Sequence, residues 1–390
     1  MSQLSTYTLY GITSIVAILF AKLSQEQKKG YIKFKKSWFI LCFSVLWFIS
    51  SFTNIGVDYD AYIRIISVSG VNSTWQGEIG FNYLCAFFKL FLGTNYDGVI
   101  FLLKTITLMI FFKAFYELRN DIRIVWAVFA FLLLSYFRFY LIAMHLSCAL
   151  VLLSIVSVYK EKNRRAMFLY CLAVLIHYSA IMLFPAFIFY FILNKVKKLS
   201  KAQIFLLIIT YLLVFVFAYQ IYNVAVNNFA VFQNYQSYGA ITDYSGIGIM
   251  QIVFYIPIFY FVFNIYRGSE DKKLINLSLI FSLTGFLFAL LGYRLEVISR
   301  MYEHFLCIYI IIIPVFLENR QRRILVKKKK YLLSVRDDKI VWAIYLLFRG
   351  SDVLIDIFQK ASSADLSSWV FFGHSKIKER DNGKGRNNNI

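Results

Sequence analysis

The sequence predicts an all-α protein, a polytopic bundle of transmembrane helices with about ten to twelve spans joined by short loops. Of its 390 residues, 59% are hydrophobic and only 16% are charged, and the mean hydropathy is +0.63. These values exceed what a soluble domain needs for its core. Apolar runs long enough to cross a hydrocarbon core of about 30 Å recur along the chain. Short polar connectors separate them, so no large soluble domain is left over.

The individual spans follow from apolar runs between polar breakers. Their predicted bounds are 7–21, 37–53, 97–116, 124–137, 140–159, 166–193, 202–221, 249–266, 274–292, 301–317 and, as a weaker signal, 339–358. The first run lacks the basic start and small-residue cleavage site of a signal peptide, so a retained helix is expected. Residues 1–360 are therefore predicted to form one membrane-embedded domain, and the polar tail 361–390 is predicted to be disordered.

Two apolar runs do not fit a simple crossing. The run 81–93 is too short to span, which predicts a re-entrant or interfacial helix. The run 166–193 has a basic cluster at each end but is too short to cross twice, so two half-helices should meet between His177 and Pro185. Non-helical backbone at that depth is tolerated where it is buried in protein or lines a wet cavity, which predicts a cavity near His177.

The distribution of charge predicts the orientation. The formal net charge of +21 comes from Lys and Arg in short clusters between apolar runs, so nucleic-acid binding is not expected. Four connectors are basic: 22–36, 160–165, 195–201 and 320–330. The positive-inside rule makes them cytoplasmic. The N-terminus and the connectors 54–80, 221–248 and 293–300 are then external.

No cofactor is predicted. The five cysteines lie inside or against apolar stretches without a CxxC pair, which is typical of small core residues. The sequence has no P-loop, Rossmann fingerprint, G-x-S-x-G or H-E-x-x-H motif, so ATP-driven and hydride chemistry are not expected. Asp58 and Asp60 match the D-x-D pattern that binds a divalent cation in nucleotide-sugar transferases. No nucleotide-binding domain surrounds them, so a solvated acidic loop is the preferred interpretation.

Several polar residues near external connectors are candidates for chemistry. The first external loop carries Asp58, Asp60, Tyr62, Arg64 and Glu78. A helix would place Asp60 and Arg64 on one face as an ion pair. Around the last external connector lie Arg294, Glu296, Arg300, Glu303 and His304. Those at 296, 300 and 304 are spaced by four and would share a helical face, either as an internally paired helix end or as part of an anion site.

Two further candidates lie within apolar runs. Arg138 and His145 are seven residues apart, two turns along one helical face. An Arg at bilayer depth costs about 2.5–3.5 kcal/mol, and external positive charge is not needed for topology, so a ligand site is favoured over snorkelling. His177 is the preferred general base because imidazole titrates near neutrality, with a structural histidine as the equal alternative.

Several segments resemble the EpsG-like and Wzy-type polysaccharide polymerases. Residues 55–62 (Ile-Gly-Val-Asp-Tyr-Asp-Ala-Tyr), followed by 78–81 (Glu-Ile-Gly-Phe), are similar to the family's first external loop. Residues 138–143 resemble its Arg-x-x-x-x-Ala helix start. Residues 176–180 resemble its His-Tyr-Ser-Ala segment, and 299–302 (Ser-Arg-Met-Tyr) resemble its late Arg-containing helix. The order and approximate spacing of these segments match the family.

The resemblance implies lipid-linked glycosyl transfer at the outer face of the bacterial inner membrane. It implies that a growing glycan on undecaprenyl diphosphate, as in O-antigen or lipopolysaccharide synthesis, is transferred to the terminal sugar of another lipid-linked repeat unit. A flippase and a chain-length regulator are the implied protein partners. The chain departs from the family at Phe139, where Gln is frequent. The alternatives are an O-antigen ligase, which should carry a large external domain, and a lipid-linked oligosaccharide flippase, which often shows internal repeats.

The implied reaction needs a base for the acceptor hydroxyl and cations for the leaving group. We expect His177 to be the base, with Asp58 or Glu78 in reserve, because an exposed carboxylate is a weak base near pH 7. Arg138, Arg294 and Arg300 are expected to bind the diphosphate, since guanidinium groups pair bidentately with phosphate oxygens. The other residues expected to bind substrate are Asp60, Arg64, His145 and Tyr62.

Overall fold

The fold is known from a computed structural model. It describes residues 3–28, 31–52, 59–70, 78–136, 141–193, 200–217, 220, 223–224, 227–228, 249–269, 271–294, 303–326, 339–341 and 343. In this part of the chain it places fourteen helices and one two-stranded hairpin. The predicted all-α fold class is therefore confirmed.

The helices follow the predicted apolar runs closely. The α-helices are α1 (Gln3–Leu23), α2 (Lys36–Phe52), α3 (Tyr59–Val68), α4 (Ile79–Leu92), α5 (Tyr96–Glu117), α6 (Ile124–Leu134), α7 (Ile142–Tyr159), α8 (Asn163–Ile176), α9 (Phe184–Leu193), α10 (Lys201–Val216), α11 (Ile249–Gly268), α12 (Lys272–Arg294) and α13 (Glu303–Val326). A 3₁₀ helix (Tyr178–Leu183) joins α8 to α9. Most of the predicted span 339–358, and all of the tail 361–390, lie outside the described residues.

The centre of the bundle is built around α7. Among the described residues, three helices are long and apolar enough to cross a membrane: α5, α7 and the part Lys272–Gly292 of α12. In α7, 94% of the apolar window is buried, and the helix packs against α5, α8 and α13. Further apolar segments belong to α1, α2, α6 and α10. Of these helices, α2 packs against α5, α6 against α13, and α10 against α12. α2, α6 and α10, with 17, 11 and 16 residues, are shorter than the roughly 20 residues that a full crossing by one straight helix needs.

One of the two irregular runs forms a short helix, and the other is broken. α4 has 14 residues, a length of roughly 21 Å, which suits a re-entrant or interfacial helix better than a crossing. In the run 166–193, α8 ends at Ile176 and His177 is extended, with φ −151° and ψ 111°. α9 then starts at Phe184, with Pro185 in its first turn, where the missing N–H costs no helical hydrogen bond. The predicted break at His177 is confirmed.

Ion pairs join the connectors at one end of the bundle. The pairs are Lys160 with Asp121, Arg165 with Glu117 (2.8 Å), Lys273 with Glu161, and Arg123 with Glu318 (3.1 Å). They join the end of α5 and the α5–α6 connector to the start of α8, to the α7–α8 connector and to the C-terminal half of α13. The α7–α8 connector is also joined to the start of α12. In the basic connector 160–165, Lys160 and Arg165 are therefore paired with the carboxylates of Asp121 and Glu117, respectively.

The basic connector 22–36 contains a hairpin that the sequence did not reveal. Strands β1 (Gln25–Lys28) and β2 (Tyr31–Phe34) pair antiparallel. The Gln25 side chain, 7% exposed, donates to the carbonyl oxygens of Arg119 (2.7 Å) and Ile122 (2.9 Å). Its Oε1 accepts from the Ile124 N–H at 2.6 Å. The hairpin thus satisfies buried backbone groups of the α5–α6 connector. Because Lys160 pairs with Asp121 of the same connector, the basic connectors 22–36 and 160–165 lie at the same end of the bundle.

Candidate functional site

His177 and Glu78 meet where α8 ends and α4 begins. The Nδ1 atom of His177 is hydrogen-bonded to Oε1 of Glu78. Their side chains are 23% and 17% exposed, respectively, so the pair is partly shielded from solvent but remains reachable. In the sequence the two residues are alternative candidates for the base. The structure brings them together as one unit.

Close packing of α4 on α8 produces this contact. A Cβ atom at Gly80 would lie 2.7 Å from the Leu175 carbonyl oxygen, so a larger residue there would push the two helices apart. The Ile79 N–H donates to the Tyr178 hydroxyl oxygen at 3.3 Å, which holds the first turn of α4 against the 3₁₀ helix. Glu78 is the N-cap of α4, where the helix dipole favours a carboxylate.

The contact with Glu78 assigns different roles to the two ring nitrogens of His177. An ionised carboxylate only accepts hydrogen bonds, so the Nδ1 atom carries the proton that is donated to Glu78. The Nε2 atom then has a lone pair that can accept a proton from a hydroxyl group. A carboxylate orients and activates the imidazole base in the same way in hydrolytic triads. The pair is therefore arranged for general-base chemistry.

A second histidine packs against the first. The ring of His304 stacks on that of His177, with centroids 6.0 Å apart and planes at 18°. The buried His304 lies with Nε2 3.1 Å from the Ser147 hydroxyl oxygen. That hydroxyl donates to the Ala173 carbonyl at 2.9 Å, so it accepts from the His304 Nε2–H. The same carbonyl accepts from the backbone N–H of His177 at 2.9 Å, which ties both rings to the end of α8.

The sequence places His304 among the candidates only as part of a helical face with Glu296 and Arg300, and both of those lie outside the described residues. The stacking on His177 depends on how α13 packs against the 3₁₀ helix, which no local pattern predicts. A polar residue at the start of an otherwise apolar helix was the one signal available.

Tyr62 lies beside the site. Its ring packs edge-on against Phe81 in the first turn of α4, with centroids 5.8 Å apart. Its hydroxyl oxygen accepts from the Ala143 N–H at 3.2 Å, at the start of α7. Asp60 and Arg64 lie one turn apart on the same helix, α3, and both are exposed. α3 therefore places the predicted binding residues of the first loop near α4.

His145 has an internal hydrogen-bond partner. It is buried in α7, and its Nδ1 atom lies 3.0 Å from the carbonyl oxygen of Leu141. This is the carbonyl contact expected of a histidine that stabilises the fold. Whether His145 also binds substrate stays a prediction.

The side chains of the predicted diphosphate ligands lie outside the part of the chain that the structure describes. Asp58, Arg138 and Arg300 lie outside the described residues, and Arg294 ends α12 with its side chain outside them. The convergence of the three arginines on one cavity therefore stays a prediction.

Comparison with protein families supports the resemblance drawn from the sequence segments. A family model described as the EpsG family matches residues 36–348, which include Glu78, His177 and His304. No curated protein and no solved structure matches the chain. The match covers most of the chain, and with the apolar helices it supports a membrane protein of the polysaccharide-polymerase type. The chain belongs to the EpsG family.

Proposed function

We propose that the protein is a polysaccharide polymerase that joins undecaprenyl-diphosphate-linked repeat units at the external face of the bacterial inner membrane. The donor is a growing glycan on its lipid carrier, and the acceptor is the terminal sugar of a second lipid-linked unit. Family membership supports the reaction class. The observation that carries the proposal is the hydrogen-bonded pair of His177 and Glu78 at a helix break.

The chemistry follows from the position of the proton on His177. As the acceptor hydroxyl oxygen bonds to the anomeric carbon of the donor, its proton moves to Nε2 of His177. The bond between that carbon and the diphosphate oxygen breaks, and undecaprenyl diphosphate leaves with the electron pair. Glu78 stabilises the imidazolium that forms. The proton is then lost to solvent, so the route balances without a nucleotide.

When the bond to the anomeric carbon breaks, the leaving diphosphate gains one negative charge in addition to those it already carries, so it requires cations nearby. Arg138, Arg294 and Arg300 are the proposed ligands, because guanidinium groups pair bidentately with phosphate oxygens. A flippase would move the same lipid without deprotonating a hydroxyl. An oriented imidazole with a lone pair directed away from its carboxylate partner therefore favours transfer over transport.

Replacement of His177 tests the proposal. In cells whose own copy of the gene is deleted, His177→Ala should abolish polymer while single-unit glycan on the lipid carrier and the protein level stay normal. Phe168→Ala, which changes a 63%-exposed side chain on α8, the helix that ends next to His177, is the matched control and should leave polymer intact. Normal polymer from His177→Ala would refute the proposal. Loss of the single-unit glycan from the external face would instead favour a flippase.

A further inference from the structure

A second candidate site lies at the far end of α4 from His177. An open cavity of about 660 Å³ is formed by the C-terminal end of α3, by α4 and by the start of α5. The described residues that line it include Tyr83, Phe87 and Tyr96, together with the small residues Gly70 and Gly93. Aromatic walls beside a membrane surface suit an amphiphilic ligand.

Lys89 supplies the positive charge of this cavity. Of the described residues that line the cavity, Lys89 is the one basic residue. Its Nζ atom donates to the carbonyl oxygens of Ser67 (2.8 Å) and Ser69 (2.9 Å), and lies 6.0 Å from the centre of the Tyr96 ring. An ammonium group has three N–H donors. Two therefore hold Lys89 in place at the end of α3, and the third can be donated to an anion in the cavity.

The cavity continues onto an apolar surface. Tyr83, Phe87, Leu90 and Phe91 on α4 are 74%, 51%, 80% and 72% exposed. An interfacial helix of a membrane protein presents such a face to hydrocarbon chains. The site therefore combines one fixed cation with a long apolar surface, which matches a lipid with a phosphate head group.

We propose that this cavity holds the diphosphate and the first isoprene units of the acceptor lipid, a proposal that rests on the function proposed above. Lys89 is ten residues along α4 from Ile79, a distance of roughly 15 Å. The donor diphosphate must lie at the carbon under attack, beside His177. The acceptor diphosphate lies at the other end of its repeat unit from the reacting hydroxyl. α4 thus separates the base from Lys89 by a distance that one repeat unit must bridge.

Kinetics of the purified full-length protein test this assignment. In lipid nanodiscs with synthetic lipid-linked repeat units, Lys89→Gln should raise the KM for the acceptor about tenfold, because a charge-assisted hydrogen bond is lost. Its kcat and its KM for the donor should change little. Lys89→Arg should restore most of the acceptor affinity. Lys113→Gln, which removes an exposed lysine near Glu117, is the control and should have no effect. A raised KM for the donor, or a lowered kcat alone, would overturn the proposal.

A binding experiment keeps this proposal separate from the catalytic one. A photo-crosslinking amino acid in place of Phe87 should capture labelled undecaprenyl diphosphate, whereas the same group in place of Met109, 54% exposed on α5, should not. Excess unlabelled undecaprenyl diphosphate should displace the probe, and phosphatidylglycerol should not. Equal capture at both positions, displacement by phosphatidylglycerol, or displacement by pyrophosphate alone would each contradict the site. Capture should persist in His177→Ala, since it requires no turnover.

Discussion

The Nδ1 atom of His177 and the Oε1 atom of Glu78 are hydrogen-bonded partners, although 99 positions separate them in the chain. In the proposed mechanism this contact makes Glu78 the partner of the base rather than a competitor for its role. It also requires that α4 and α8 keep their packing for the proton to be taken up efficiently. Replacement of either residue should therefore lower the rate of the same step, polymer formation.

The first prediction concerns Glu78 itself. Glu78→Gln keeps the side-chain size and an acceptor oxygen but removes the negative charge that stabilises the imidazolium. The initial rate of polymer formation should fall roughly 100-fold, less than in His177→Ala. Glu78→Gln combined with His177→Ala should be no slower than His177→Ala alone. A Glu78→Gln protein with the normal rate would exclude the carboxylate from the mechanism.

The second prediction concerns the packing of α4 against α8 next to the His177–Glu78 pair. Gly80→Ala puts a Cβ atom against the Leu175 carbonyl, so α4 must move away from α8. We expect a loss of about 1–3 kcal/mol in the free energy of unfolding, together with a lower polymerisation rate. Gly11→Ala is the control, because a Cβ there meets nothing within 4 Å. If Gly80→Ala is as stable and active as Gly11→Ala, the close approach of the helices is unimportant.

The third prediction concerns Gln25. Gln25→Ala leaves two buried carbonyl groups and the Ile124 N–H without their partner. Thermal unfolding in detergent should show a loss of about 3 kcal/mol. Lys22→Ala, at an exposed position just before the hairpin, should change stability by less than about 0.5 kcal/mol. Equal stability of the two variants would mean that the contact contributes nothing.

The fourth prediction concerns the buried ion pair. Glu318 is 1% exposed and lies 3.1 Å from Arg123, so Glu318→Ala should cost about 3 kcal/mol by leaving a cation with less compensation. Glu161→Ala is the comparison, since its pair with Lys273 is 69% and 36% exposed, respectively. It should cost less than about 1 kcal/mol. A similar loss in the free energy of unfolding for both variants would show that burial does not determine how much these ion pairs stabilise the fold.

The fifth prediction concerns orientation. In a background without native cysteines, Lys162→Cys and Lys197→Cys should be labelled from the cytoplasm, and Thr94→Cys and Tyr238→Cys from outside. Trp75→Cys should behave like Tyr238→Cys. The reverse pattern would place the proposed site on the cytoplasmic face. It would also disagree with the proposed use of an external glycan.

Much of the fold could be predicted from hydropathy, because the spacing of apolar runs decides where helices form in a membrane. The break at His177 was predictable too, since a basic cluster lies at each end of a run that is too short to cross twice. The contact of His177 with Glu78 was not, because it depends on a glycine that lets two distant helices approach. The hairpin at 25–34 was missed because its polar residues resemble an ordinary basic connector.

The role of Gln25 has a consequence for the order of assembly. Residues 25–34 leave the ribosome well before residues 119–124, yet the two segments complete each other's hydrogen bonds. The carbonyl groups of the later segment therefore need water or a chaperone until the earlier one docks. We expect the N-terminal hairpin to remain undocked at the membrane surface while α2 to α5 insert. Maturation of the bundle is then complete only when the α5–α6 connector closes onto it.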